Sequence, residues 1–421
     1  MHKVIQNGYK IMKIDADFHK RKRNAILQQL NNNEIAIFTS SYPAWKTHDQ
    51  FFPFRQDSNF YYLTGLWELT PSLLIITAEG FLGSNEWLLI PRPDEVKARW
   101  DGGVETKESI QEKTGLSNLH YWDEFELKFG RMFSSQKKVL LNIPELDFSY
   151  IHHPAKTIQE KIRAAFPLVS FGSANPLTSK LRQLKENHEL SKIRRAIEVT
   201  GAGIEKMKQV APTVDFEYEL EAAFVHEIKR HGVKEQGYHP IIAAGKNATV
   251  LHYSENNQQL GDHDCILVDV GAEVDGYSAD ITRVFPKNKM NDRQAAIYEA
   301  VLRVNEKVIK AIKPGIVYQS LNDLAKELLT EEAMKLKLIQ LPSEITNVYM
   351  HRVSHFLGLD VHDVGQYTQL LEPGMVITVE PGLYINKENI GIRIEDDVLV
   401  TETGFEVLTS SVRKNLHPNF S

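Results

Sequence analysis

The chain has 421 residues, too many for one ordinary domain, and 42% of them are hydrophobic, enough for sizeable cores. Its net charge of −6 gives no general attraction to nucleic acid. The single cysteine excludes an intramolecular disulfide and fits a reducing compartment, and no run of eighteen apolar residues offers a transmembrane helix.

In chain order, the opening MHKVIQNGYKIMKIDADFHKRKR lacks the apolar core of a secretory signal, and its two aspartates argue against a mitochondrial presequence. A cytoplasmic protein is expected, with residues 1 to 11 an arm ahead of a second possible start at Met12. Up to about residue 175, the apolar runs EIAIFT, SLLIITA, EWLLI and KVLLNI alternate with polar, helix-compatible stretches, which predicts a mixed α/β domain over 1–175. PRPDEVKARWDGG at 91 to 103 reads as a charged loop, and FGSANPLTSK at 171 to 180 as a linker.

A second domain is expected over 176–421. Leu190, Ile193, Ile197, Ile204 and Met207 mark the apolar stripe of a long helix, and Leu220, Phe224 and Ile228 mark another. A second helical pair is predicted at about 291 to 338, broken by Pro314-Gly315 as the first is by Pro212. Each pair precedes a strand-rich stretch rich in candidate ligands: Asp269 and Asp280 after the first, His355, Glu380 and Glu395 after the second. A pseudo-twofold fold with metals at the join of its halves would produce this faint self-similarity. Cys265 opens the apolar run CILVDV and reads as a buried small hydrophobe rather than a nucleophile. No GxSxG is present, and the glycines of GAGIEKMK lie in a helical pattern, which argues against a dinucleotide loop.

The informative residues are the four carboxylates and the histidine. Three of the carboxylates interrupt runs of Val and Ile that otherwise read as buried strands, where an ionised side chain is costly unless paired, hydrogen-bonded or on a metal. Asp275-Gly276 is a two-residue turn signal between Asp269 and Asp280, and these aspartates are separated by eleven positions. Side chains alternate along a strand, so an odd separation across such a hairpin puts both aspartates on one face. Glu380 and Glu395, fifteen apart, obey the same parity across a longer loop. Arg393 shares the face of Glu395 and can hold the ligands in place, although a plain ion-pair role fits it as well.

Four clustered carboxylates repel, and some would protonate unless cations cancel their charge. Two divalent cations would do so. Oxygen-rich ligation with one imidazole suits Mn²⁺ first, with Co²⁺ or Zn²⁺ as alternatives. A two-metal centre polarises a carbonyl and activates water, which is hydrolytic chemistry.

The ligand series LVDVGAEVDGYSADITR, HRVSHFLGLDVHDVG, LEPGMVITVEPGLYI and GIRIEDD, together with HYSEN at 252 to 256 and FRQDSNFYYLTG at 54 to 65, resembles the pita-bread metallopeptidases, and within them the Xaa-Pro aminopeptidase (aminopeptidase P) branch. The resemblance covers nearly the whole chain. It implies an α/β (α+β) protein, with a creatinase-like mixed α/β N-terminal domain followed by a pseudo-twofold pita-bread domain. It implies that Asp280 and Glu395 bridge two metals, that Asp269 completes one and that His355 and Glu380 complete the other. Glu380 would also take the proton of the nucleophilic water. His252 and His362 would orient the scissile carbonyl, His351 would lie near the proline ring, and Tyr384 and Arg393 would support the ligands. Each of these histidines has a blander reading as a satisfied pocket residue.

One position departs from the family pattern: the glycine often found after the first histidine of HRVSH is Arg352. The implied substrates are peptides beginning Xaa-Pro, with no nucleic acid or membrane partner, and the implied assembly is a homodimer or homotetramer. An Xaa-Pro dipeptidase uses the same ligands and is the nearest alternative; a pita-bread binding protein that has lost catalysis is the alternative from another class.

Overall fold

The computed structural model describes residues 16–102, 105–133, 137–143 and 153–414. The chain divides into two compact units, Lys13–Leu181 and Arg182–Ser421. The first eleven residues, read as an arm, lie outside the described residues.

The first unit is built on a six-stranded mixed sheet in the order Leu119–Tyr121, Ser84–Ile90, Leu73–Phe81, Glu34–Thr39, Lys138–Leu141, Ser170–Ser173. EIAIFT is apolar without alternation because both faces of its strand are covered. Ile35 and Ile37 pack with Ile158 and Ile162 of helix Pro154–Ala165, while Ala36 and Phe38, pointing the other way, are also buried. In FRQDSNFYYLTG, the Asp57 carboxylate caps helix Ser58–Thr64 by accepting from the Phe60 N–H at 2.8 Å. Gly65 ends that helix at φ 72°, a left-handed conformation natural to glycine.

Two expectations change here. The charged loop at 91 to 103 contains helix Glu95–Asp101. The expected linker is strand Ser170–Ser173 followed by helix Asn175–Gln183. Small residues and a proline mimic a linker in composition, but Pro176 occupies the first turn of its helix, where its missing N–H costs nothing.

The second unit repeats one plan twice: a helix pair, then a hairpin. Helices Asn187–Val210 and Glu217–Arg230 bury the stripes expected of them. They cross closely at Gly203, where a Cβ would lie 2.4 Å from the Phe224 ring. The first hairpin runs Cys265–Val270 and Ala272–Val274 out, then Tyr277–Ser278 and Ile281–Pro286 back. Asp275 and Gly276 turn it with φ of 49° and 83°, the two positive values of a type I′ turn. The ladder breaks at Gly271, where a Cβ would sit 1.9 Å from the Ala279 carbonyl oxygen.

Helices Asp292–Ala311 and Gln319–Lys335 open the second half. Asn291 and Gln294 exchange N–H bonds of 2.9 Å in a capping box at its start. The second hairpin pairs Val376–Val379 with Asp396–Val400 and Gly382–Ile385 with Ile390–Arg393. Ile297, Val301, Val304 and Val308 of the first of these helices share one core with Leu267 of the first hairpin and Ile377, Ile392 and Val398 of the second. No helix among the described residues is long and apolar enough to cross a membrane.

Candidate metal centre

Asp280, Glu380 and Glu395 sit where regular pairing stops, whereas Asp269 lies within a strand paired on both sides. Asp269 is paired with Thr282 in the first hairpin, and Asp280 precedes Thr282 by two positions, so both aspartates share its face. In the second hairpin the register runs to Val379↔Asp396 on one side and Gly382↔Arg393 on the other. Glu380 and Glu395 therefore stand opposite each other in the gap. The two hairpins are joined at this point: the Glu395 N–H donates to the Thr282 carbonyl at 3.1 Å, and the Thr282 hydroxyl donates to Glu395 Oε2 at 2.7 Å. His355 is set beside them because its segment pairs with the same strand, with Thr378 N–H to His355 O at 2.9 Å and Glu380 N–H to Val353 O at 2.8 Å.

Asp280, His355 and Glu395 each offer a donor atom, all within 4.8 Å of one another. His355 Nδ1 faces the Phe356 carbonyl at 3.0 Å and holds the ring proton there, so Nε2 is the atom turned to the carboxylates. It lies 3.3 Å from Asp280 Oδ2, 3.7 Å from Glu380 Oε1 and 3.9 Å from Glu395 Oε1. Asp269 is held by the Arg393 guanidinium. A cleft of about 370 Å³ is lined by Asp269, Asp280, His355, Glu380, Glu395 and Arg393. His252, His351, His362 and Arg352 line it too.

The electrostatics of this cluster ask for cations. Burial, compounded by the neighbouring carboxylates, pushes the Glu395 carboxyl well above its ordinary range and raises Asp269 despite Arg393. Burial likewise lifts Glu380 to about 7 against the pull of His355 and Arg393. For Asp280 burial is outweighed by the hydrogen bond and charge of His355, and its carboxyl is lowered. His355 answers in kind: burial would lower it, but Asp280 and Glu380 raise it to about 9. An acidic cluster that must otherwise hold protons is what divalent cations neutralise, and the donor set, oxygens with one imidazole, fits hard or borderline ions.

Tyr384 and His351 form a support line. Burial, with the charge of Arg393, pushes His351 down to about 4, so its ring is neutral at pH 7. Its Nδ1 lies 2.7 Å from the Arg352 carbonyl, which can only accept, so the proton sits on Nδ1. Nε2 then accepts from the Tyr384 hydroxyl at 2.8 Å, and that hydroxyl accepts from Arg393 Nη1 at 3.0 Å. Tyr384 is thus buried behind the cleft rather than lining it. The His362 ring packs edge-on to His355 with centroids 4.4 Å apart.

Three residues were not anticipated. Tyr238 Oη lies 2.6 Å from Asp269 Oδ1 and from Asp280 Oδ1. A phenol has one proton, so without a cation the second contact needs a protonated carboxyl. Thr282 accepts from Arg393 Nε at 3.0 Å while donating to Glu395. Asp397 Oδ2 accepts from the Asp280 N–H at 3.2 Å. Thr282 and Asp397 each lie two residues beyond a ligand, so the alternation that located Arg393 would have found them; Tyr238 carries no such signal.

Comparison with known proteins places this geometry. The model of metallopeptidase family M24 matches residues 191–402, and that of the aminopeptidase P N-terminal domain matches residues 19–141. The chain is 32% identical to the Xaa-Pro aminopeptidase of Haemophilus influenzae, over 96% of each chain. Its fold matches aminopeptidase P of E. coli with the inhibitor Pro-Leu at a TM-score of 0.86 and 30% identity, covering 96% of this chain and 97% of that one. It matches Pseudomonas aeruginosa aminopeptidase PepP at 0.87 and 30%, covering 96% of each. The chain belongs to metallopeptidase family M24. It is a hydrolase that uses divalent metal, with the N-terminal domain of the aminopeptidase P branch.

Proposed function

We propose that the chain is an Xaa-Pro aminopeptidase that works with two divalent ions, Mn²⁺ first. The observation that carries this is the convergence of donors from Asp280, His355 and Glu395 in one cleft with Asp269 and Glu380. In this reading Asp269, Asp280, His355, Glu380 and Glu395 would together hold the ions. Bound there, the ions supply Lewis acidity toward the scissile carbonyl and make water nucleophilic at neutral pH.

The protein's own groups do the rest. Glu380, lining the cleft beside His355, would accept the proton of the attacking water and return it to the leaving nitrogen. That return is needed because the nitrogen of any peptide bond must gain a proton to leave as an amine, the proline nitrogen included. His252 and His362, at the rim of the cleft, donate to the carbonyl oxygen as charge builds on it. Neutral His351, locked by Tyr384, offers the proline ring an imidazole face. Arg393 fixes Asp269 and Tyr384 together. The dipeptide Pro-Leu held by the E. coli relative begins with proline, as does the product left when a first residue is removed ahead of proline.

A cytoplasmic location, a homodimer or homotetramer, and a catalytic domain beginning near residue 176 belong to the same proposal. Hydrolysis of an Xaa-Pro-Yaa tripeptide against the matching Xaa-Pro dipeptide tests it, with chelator-stripped protein and added Mn²⁺. Metal-dependent release of the first residue from the tripeptide supports the aminopeptidase. Preference for the dipeptide would make the chain a dipeptidase.

A further inference from the structure

The side chain of Arg352 lines the cleft. An arginine beside so many carboxylates would ordinarily fold onto one of them. Arg352 does not. Its guanidinium lies 3.9 Å over the ring of Tyr367, which stacks on Tyr318 with centroids 5.2 Å and planes 9° apart. Tyr318 is in turn fixed to Ser354 by a hydroxyl contact of 2.7 Å. The hydrogen bond Arg352 makes goes to a neutral acceptor, Gln319 Oε1, at 3.4 Å. Among the described residues it forms no ion pair. The neighbouring cations are engaged: Arg393 with Asp269, and Arg182 and Lys185 with Asp363.

Stacking uses the face of a guanidinium and leaves its edge, a planar fork of donors suited to a carboxylate. An aromatic platform therefore presents this cation, already oriented, in the same cleft as Glu380, His252, His351 and His362. The cleft, about 370 Å³, is at the small end of the range of about 300–1,000 Å³ that holds drug-sized ligands. A peptide ending soon after its proline brings its terminal carboxylate into that space, toward a wall of acidic residues where an opposite charge is needed.

We propose that Arg352 is a specificity-determining residue that binds the C-terminal carboxylate of short Xaa-Pro peptides, tripeptides foremost. This rests on the Xaa-Pro reading above. It predicts an enzyme that finishes short peptides rather than trimming long chains.

The test compares kcat and KM for an Xaa-Pro-Yaa tripeptide as free acid and as C-terminal amide, with the full chain loaded with Mn²⁺. The acid is favoured about tenfold in kcat/KM, as one charge-assisted contact provides, and the difference sits in KM. Arg352→Met brings the acid-to-amide ratio close to one, and Arg352→Lys retains part of it. Arg352 is exposed, so neither variant threatens the fold. Equal kcat/KM for acid and amide in the unaltered enzyme, or a preference that survives in Arg352→Met, overturns the role of Arg352 alone. Cleavage of neither peptide overturns this role and the Xaa-Pro reading together.

Discussion

Glu380 and Glu395 face each other across one hairpin, at the point where its two ladders stop and neither residue has a strand partner. Two carboxylates held opposite each other and buried are a costly arrangement in an apoprotein. The hairpin keeps them there because Val376–Val379 and Ile390–Arg393 on either side are fully buried and fix the register.

The proposed centre has Glu395 shared between both ions, so its removal should be felt by both. Glu395→Ala is expected to lose at least one metal per chain by elemental analysis and to lower turnover by more than about a hundredfold. Undiminished metal content would refute the assignment.

His252 lines the cleft at its exposed rim. His252→Ala is expected to keep its metal and lose about a hundredfold or more in kcat, the usual cost of one donor to a developing oxyanion. Full turnover in this variant would remove His252 from the mechanism.

Proton release reports on the cluster. In metal-free protein His355 keeps its proton to about 9 and Glu380 to about 7, and ligation requires both to be deprotonated. Both groups are raised above their unfolded values, so the stability tied to their protons is present at low pH and is lost as pH rises through about 7 and then about 9. Calorimetric metal titrations in two buffers should therefore show more protons released at about pH 6 than at about pH 8. The gain in Tm on adding Mn²⁺ should grow over the same interval. Proton release that is flat with pH would contradict this.

Thr282 joins the hairpins by bonding Glu395 and Arg393 at once. Thr282→Val keeps the shape and removes both bonds. Metal affinity is expected to fall about tenfold to a hundredfold, as for other groups that orient ligands. Unchanged affinity in a metal-buffered titration would show that the hydroxyl is dispensable.

Gly203 lets Phe224 lie against the helix backbone. Gly203→Val is expected to lower stability by about 1–3 kcal/mol in denaturant unfolding, the usual cost of overpacking. A stability within about 0.5 kcal/mol of the unaltered protein would mean that the helices separate freely there.

Much of this was legible because two-residue periodicity survives the breaks in the ladders. Asp275-Gly276 set a turn whose register carries Asp269 and Asp280 to one face, and the parity of Glu380 and Glu395 held across a longer loop containing Asn389 at φ 56°. The helix stripes from Leu190 and from Leu220 were equally plain, since burial imposes the period of 3.6. Residues 171 to 180 misled because strand edges and helix starts use the same small residues and proline as linkers do. Tyr238 was invisible for a different reason: it reaches the aspartates from 31 and 42 positions away, through tertiary packing that leaves no local pattern.

The most direct test of the metal centre is anomalous diffraction at the manganese edge from crystals of the Mn²⁺-loaded protein. A bridged centre gives two peaks about 3.5–4 Å apart, as two-metal sites do, with the carboxylates of Asp280 and Glu395 between them. A single peak, or two too far apart to share a carboxylate, would contradict it.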